Sequence, residues 1–239
     1  MEAYTYSNLF DTKGIEYIVI IFFLLLLIPF WIVVNRKSDA VNRLKQAVQA
    51  LTAGALSIPQ GLFFSRNHTW LQLEKSGEAR IGLDDFLVKV TGAVLIEPLK
   101  SAGDKVKKGE AIASISQGDK QLKVHSPISG LVSGFNAGLT EDGALLAESP
   151  YDEGWLFTME PEDWKKDTTG FLLGQETRSW MEGEIQRLKD FLSISFSKHN
   201  DSSMALVFQE GGELQMNPLT DLGSVVWNDF QNEFLEQTD

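Results

Sequence analysis

Cysteine is absent from this chain of 239 residues. That excludes disulfides, thiolate-ligated iron–sulfur clusters and covalent c-type haem. Histidine is scarce: the three, His68, His125 and His199, lie far apart, with neither HExxH nor HxH spacing, so no zinc site is expected. Basic residues also run short, 21 Lys and Arg against 33 Asp and Glu, for a net charge of −12. A general nucleic-acid binder needs a basic face, so nucleic acid is not an expected partner. Neither GxGxxG nor GxxxxGK[ST] occurs, so nucleotide binding has no support. No Ser/His/Asp or Cys/His constellation can be assembled, and no enzymatic activity is expected.

Against these absences stands one long apolar run. Residues 17–34, YIVIIFFLLLLIPFWIVV, carry no charge. A helix needs about 20 apolar residues to cross a bilayer, and Tyr17 and Trp31 sit where interfacial aromatics are favoured. The run ends in Asn35-Arg36-Lys37 rather than in the small residues of a signal-peptide cleavage site. The pattern predicts a short extracytoplasmic N-terminus over 1–14 and a single transmembrane helix over 15–35. Lys13 precedes the run, and Arg36, Lys37, Arg43 and Lys45 follow it. The positive-inside rule then places the rest of the chain in the cytoplasm. Residues 36–62 read as a juxtamembrane amphipathic helix and connector, with Val41, Leu44, Val48 and Leu51 at helical spacing. Such a helix rests on lipid headgroups or packs against a neighbouring subunit.

The most informative stretch is 102–130, AGDKVKKGEAIASISQGDKQLKVHSPISG. Gly103-Asp104 and Lys107-Lys108-Gly109-Glu110 read as turns. Residues 111–116 alternate small and apolar side chains like a half-buried strand, residues 117–120 form a polar tip, and Leu122 and Val124 resume the inward face. Further short strands around 69–73, 79–81, 94–96, 130–135 and 155–157, with Gly and Pro turns between, predict a β-sandwich or flattened barrel. Asp84 or Asp85 reads as the cap of a short helix, with the other acid at the surface. His125 reads as solvated, and His68 as a structural hydrogen-bonding residue.

With its flanks, this stretch resembles the H protein of the glycine cleavage system. The resemblance rests on His68-Thr69-Trp70, Ala79-Arg80-Ile81-Gly82-Leu83-Asp84-Asp85-Phe86, Gly103-Asp104-Lys105-Val106-Lys107-Lys108-Gly109-Glu110, Ser126-Pro127-Ile128-Ser129-Gly130 and Pro150-Tyr151 with Gly154-Trp155-Leu156-Phe157. It implies a lipoyl-type fold over 63–164. In that family a lysine at the hairpin tip carries lipoic acid. An ungapped count back from Ser126-Pro127 puts the family's lysine position on Asp119, with Lys120 one residue late. A shift of one residue turns a strand side chain to the opposite face. The family's acidic residue three places earlier is replaced by Ser116 in the same count.

Residues 165–239 read as a helix–hairpin–helix extension. Trp180, Met181, Ile185, Leu188 and Leu192 recur at helical spacing, residues 204–208 read as a strand, Gly211-Gly212 as a turn, and Asp221 as the cap of a last helix. Trp180, Trp227 and Phe230 are interaction candidates. The expected fold is therefore a mainly β, H-protein-like sandwich or flattened barrel, with an N-terminal single transmembrane helix and a C-terminal α+β extension. The expected function is that of a membrane-anchored, non-catalytic accessory or scaffold subunit, without cofactor or metal, docking on the cytoplasmic side of a multi-subunit membrane complex; analogy suggests a redox or respiratory one. The competing expectation is a membrane-tethered lipoyl carrier, with lipoate on Lys120 shuttling a group between active sites.

Overall fold

A computed structural model describes residues 17–28, 50–141, 143–198 and 214–236. They belong to two units, Met1–Val48 and Gln49–Asp239. In the first unit, residues 17–28 form a helix whose apolar side chains are exposed. The expectation of a membrane span is corrected on these residues: at 1.5 Å per residue they cover about 18 Å, against a hydrocarbon core of about 30 Å. Among the described residues no helix is long and apolar enough to cross a membrane. A single-pass protein with its N-terminus outside and its remainder cytoplasmic is therefore not supported. The rest of the expected span and most of the juxtamembrane helix lie outside the described residues.

The second unit begins by joining its own C-terminal part. Ala50 bridges Gln215, the Leu51 N–H donates to the Leu214 carbonyl at 2.6 Å, and Leu51 is buried. Among the described residues nine short strands follow: β1 (Phe63–Phe64), β2 (Thr69–Leu73), β3 (Ala79–Leu83), β4 (Leu95–Pro98), β5 (Lys105–Val106), β6 (Ala111–Gln117), β7 (Lys120–His125), β8 (Gly130–Phe135) and β9 (Trp155–Pro161). They build a six-stranded sheet in the order β1-β2-β3-β9-β8-β5 and a three-stranded sheet in the order β4-β6-β7. All the pairings are antiparallel. Period-two alternation drives this: Ile115 faces Leu122 and Ala113 faces Val124 on the buried side of the β6–β7 hairpin.

Trp70 anchors the core. It is fully buried and its indole N–H donates to the Pro150 carbonyl at 3.0 Å. Gly82, its cross-strand partner, leaves room for the ring: a Cβ there would fall 2.5 Å from the Trp70 ring carbons. Gly82→Ala is accordingly expected to destabilise the fold by about 1–3 kcal/mol, read as a lower urea midpoint with an unchanged slope.

Asp84 caps the helix Asp85–Thr91, accepting from the Leu87 N–H at 2.9 Å. Asp85, expected at the surface, is buried. Its carboxylate accepts from the Ser57 N–H and from Lys89 Nζ, each at 2.7 Å, and its own N–H donates to the Tyr151 hydroxyl. Burial pushes the Tyr151 phenol far up, so it stays neutral.

Beyond β9, the long helix Gln175–Lys198 buries a stripe of Met181, Ile185, Leu188 and Leu192. The last helix, Ser224–Phe230, starts after Gly223 rather than at Asp221, and continues into a π-helical turn, Gln231–Leu235. Trp227, Phe230 and Phe234 are fully buried and belong to the same apolar cluster as Trp70 and Phe157. The described part of the extension is thus a continuation of the main core. The expected strand at 204–208 and turn at 211–212 lie outside the described residues.

Candidate functional site

The β6–β7 hairpin closes on the pair Gln117 and Lys120, leaving Gly118 and Asp119 as a two-residue turn. Gly118 has φ +64 and Asp119 has no positive φ. That is the signature of a type II′ turn, with glycine at the first central position. Asp119 is exposed at the apex.

Lys120 begins β7 on the same face as Leu122 and Val124, which are buried, while Gln121 and Lys123 are exposed on the other. Its ammonium therefore turns back over the protein. Lys120 Nζ donates to Gln117 Oε1 at 2.7 Å and to the Thr220 carbonyl at 2.6 Å, and lies 5.0 Å from the centroid of the Trp227 ring. Gln117 in turn donates to the Thr91 and Ala93 carbonyls, tying the hairpin to the end of the capped helix. The C-terminal segment also closes the free edge of β7. Gln231 accepts from the Lys123 N–H at 2.7 Å and donates to the Lys123 carbonyl at 3.3 Å, acting as one rung of an additional strand.

A second cluster fastens the long helix to the β-sheets. His68, fully buried with φ 57, is stacked between Phe86 (centroids 4.4 Å apart) and Trp180 (5.0 Å). Its Nδ1 donates to Asp84 Oδ2 at 2.8 Å. Its Nε2 lies 3.4 Å from Glu184 Oε2, an ion-pair contact without hydrogen-bond alignment. Glu184 Oε2 is in turn 2.9 Å from Arg187 Nη2, and the Arg187 guanidinium lies 4.1 Å from the Phe234 ring centroid. Burial alone lowers the His68 pKa, but the Asp84 charge and hydrogen bond, with Glu184 beside them, outweigh it and raise it to about 9. The His68 imidazole is therefore protonated at neutral pH, and the row Asp84, His68, Glu184, Arg187 sets acidic and basic side chains in alternation.

These placements differ from expectation in instructive ways. Trp180, Trp227 and Phe230 engage His68, Lys120 and Phe234 within the chain. His125 is partly buried, not solvated. Glu184, Arg187, Thr220 and Gln231 are not among the expected site residues. Glu184 carries a signal, since it sits in the apolar phase of its helix, between Met181 and Leu188. Thr220 and Gln231 carry none, because they act through a backbone carbonyl and an amide at long range. Among the described residues no group of three His, Asp or Glu side chains is placed to hold a metal ion.

The family model for the glycine cleavage H-protein matches residues 62–183. The chain belongs to the glycine cleavage H-protein family. A glycine cleavage system H protein of Anaeromyxobacter sp. is 34% identical over 108 residues, covering 45% of this chain and 84% of the relative. The one from Oceanobacillus iheyensis is 31% identical over 111 residues, covering 46% and 87%. A crystal structure of a glycine cleavage system H protein from Mycobacterium marinum aligns at 23% identity with a TM-score of 0.46, covering 53% of this chain and 99% of that one. The H-protein match ends at Gly183, inside the long helix and one residue short of Glu184. The Arg187 and Glu184 side of the buried charge row, and the segment that holds Lys120, therefore come from beyond the family's shared region.

Proposed function

We propose that this H-protein-family chain is a non-catalytic accessory subunit whose lipoyl-type domain serves as a docking body in a larger assembly, with no swinging arm. The observation that carries the proposal is the state of the Lys120 amine. A lipoyl amide needs a lysine that projects freely from the turn, whereas the Lys120 ammonium is held by the Gln117 amide and the Thr220 carbonyl over the Trp227 ring. The exposed apex carries Asp119, a carboxylate that forms no amide with lipoate. The hairpin as it stands does not fit the prosthetic group.

The competing reading, a carrier lipoylated on Lys120, is favoured by the similarity to glycine cleavage system H proteins and by the closeness of Lys120 to the apex. It requires the lysine to leave both acceptors and the aromatic face.

The test is to offer full-length protein to a lipoate-attaching enzyme that modifies H proteins. Wild type is expected to stay unmodified, while Asp119→Lys, which puts an amine at the apex, is expected to gain one lipoyl group by intact mass. A lipoyl group on Lys120 of the wild type would reverse the ranking of the two readings.

A further inference from the structure

The C-terminal segment touches the Lys120 clamp and the His68 cluster at opposite ends of its own length. Near its start the Leu219 N–H donates to the Val90 carbonyl at 3.2 Å, the Thr220 carbonyl accepts from Lys120 Nζ at 2.6 Å, and Trp227 lies beneath that ammonium. Near its end the Arg187 guanidinium covers the Phe234 ring at 4.1 Å, and Arg187 Nη2 donates to the Glu233 carbonyl at 3.3 Å. Phe234 also lies 6.2 Å from Phe86 and 6.3 Å from His68. Between the two ends, Gln231 holds both backbone groups of Lys123.

The backbone joins these contacts stiffly. The helix Ser224–Phe230 runs without a break into the π-helical turn Gln231–Leu235. Side chains three apart on an α-helix share a face. A π turn closes on the fifth residue rather than the fourth, which spreads Gln231 and Phe234 apart, so that one reaches β7 and the other the aromatic rings around His68. Phe230 and Phe234 stack at 4.5 Å, and Phe191 of the long helix meets both edge-on. Phe234 cannot leave its site without disturbing Phe230, and Phe230 carries Gln231 and Trp227 with it along the same helix. Closely packed elements of this kind switch between discrete arrangements and do not deform by degrees.

We propose that residues 219–236 form one cooperative, autoinhibitory strap over the Lys120 amine and the β7 edge, latched at its far end by Arg187. Releasing the latch uncovers Lys120 and frees the Lys123 N–H and carbonyl together. Arg187 is the member of the charge row that solvent reaches: its side chain is 32% accessible, against 5% for Glu184 and 0% for His68. The device stands on these contacts alone and holds whether or not Lys120 ever carries a group.

Arg187→Met in the full chain tests this, since it keeps a long apolar side chain over Phe234 and removes the charge and the bond to the Glu233 carbonyl. Lys120 is expected to react with an amine-directed reagent at least about fivefold faster than in the wild type, the lower end of ordinary coupling between sites, with Lys123 as the reference in the same molecule. Amide exchange at Lys123 should rise with it, while Leu122 and Val124, paired with β6, stay protected. Coupling is reciprocal. Lys120→Met, which removes the near contact and leaves Arg187 in place, should therefore speed amide exchange at residues 233–235 by a similar factor. That variant decides the matter alone if Arg187→Met loosens the whole fold. Faster exchange confined to the last turn of Arg187→Met, with Lys120 still protected, would overturn the proposal. Unchanged exchange at residues 233–235 in Lys120→Met would overturn it equally.

Discussion

His68→Ala is expected to destabilise the fold by about 3–5 kcal/mol, the range for removing one partner from a buried ion pair. The substitution leaves Asp84 and Glu184 facing each other without the cation between them, and removes the ring stacked against Phe86 and Trp180. The long helix should loosen first, because Trp180 and Glu184 are its contacts to the imidazole; amide exchange along Gln175–Lys198 reports this directly. The wild-type pH dependence gives an independent check. The folded-state pKa of about 9 stands above the ordinary 6.5, so the native state holds the proton more tightly than the unfolded chain. The resulting stability is fully present below about pH 6.5 and is lost as pH rises through about 9, a contribution of roughly 3 kcal/mol. Urea midpoints of the wild type should fall across that window, and those of His68→Ala should fall much less. A wild-type midpoint that is flat from pH 6.5 to 9 would show that the imidazole is not protonated in the fold.

Trp227→Ala carries the second large effect. The indole is fully buried, donates to the Leu219 carbonyl at 2.9 Å and lies beneath the Lys120 ammonium. Truncating a buried tryptophan costs about 3–5 kcal/mol. A merely structural tryptophan would stop there. This one also holds the lysine, so an amine-reactive reagent should label Lys120 faster in the folded variant than in the wild type. Lys123, exposed on the opposite face, should label equally in both. Unchanged protection of Lys120 in a folded Trp227→Ala protein would remove the aromatic clamp from the account.

The two effects concern elements of unequal legibility in the sequence. The β6–β7 hairpin is readable because glycine, alternation and the Ser-Pro that follows are local signals. Even the turning of Lys120 to the inner face follows from period-two geometry once the turn is fixed at Gly118-Asp119. The long helix is readable from its apolar spacing. What covers Lys120 is not readable, since Thr220 contributes only a carbonyl one hundred residues away. The charge row is half readable: His68 and Asp84 stand in matched motifs, while Glu184 joins them only through packing. The N-terminal expectation rests on an uncharged run over 17–34, of which the helix over 17–28 is described, and among the described residues no helix is long and apolar enough to cross a membrane. Trp227 and Phe230, expected as interaction candidates, are buried within the described chain. Large aromatics mark a buried surface, but periodicity does not say whether the partner is another protein or the same chain.

On the proposed reading the hairpin lysine is a clamped structural group and not the root of a swinging arm. Intact-mass measurement of the protein isolated from its native source, with peptide mapping across residues 111–125, tests it most directly. The expected result is the unmodified mass and an unmodified Lys120. A lipoyl group found on Lys120 in that material would contradict it.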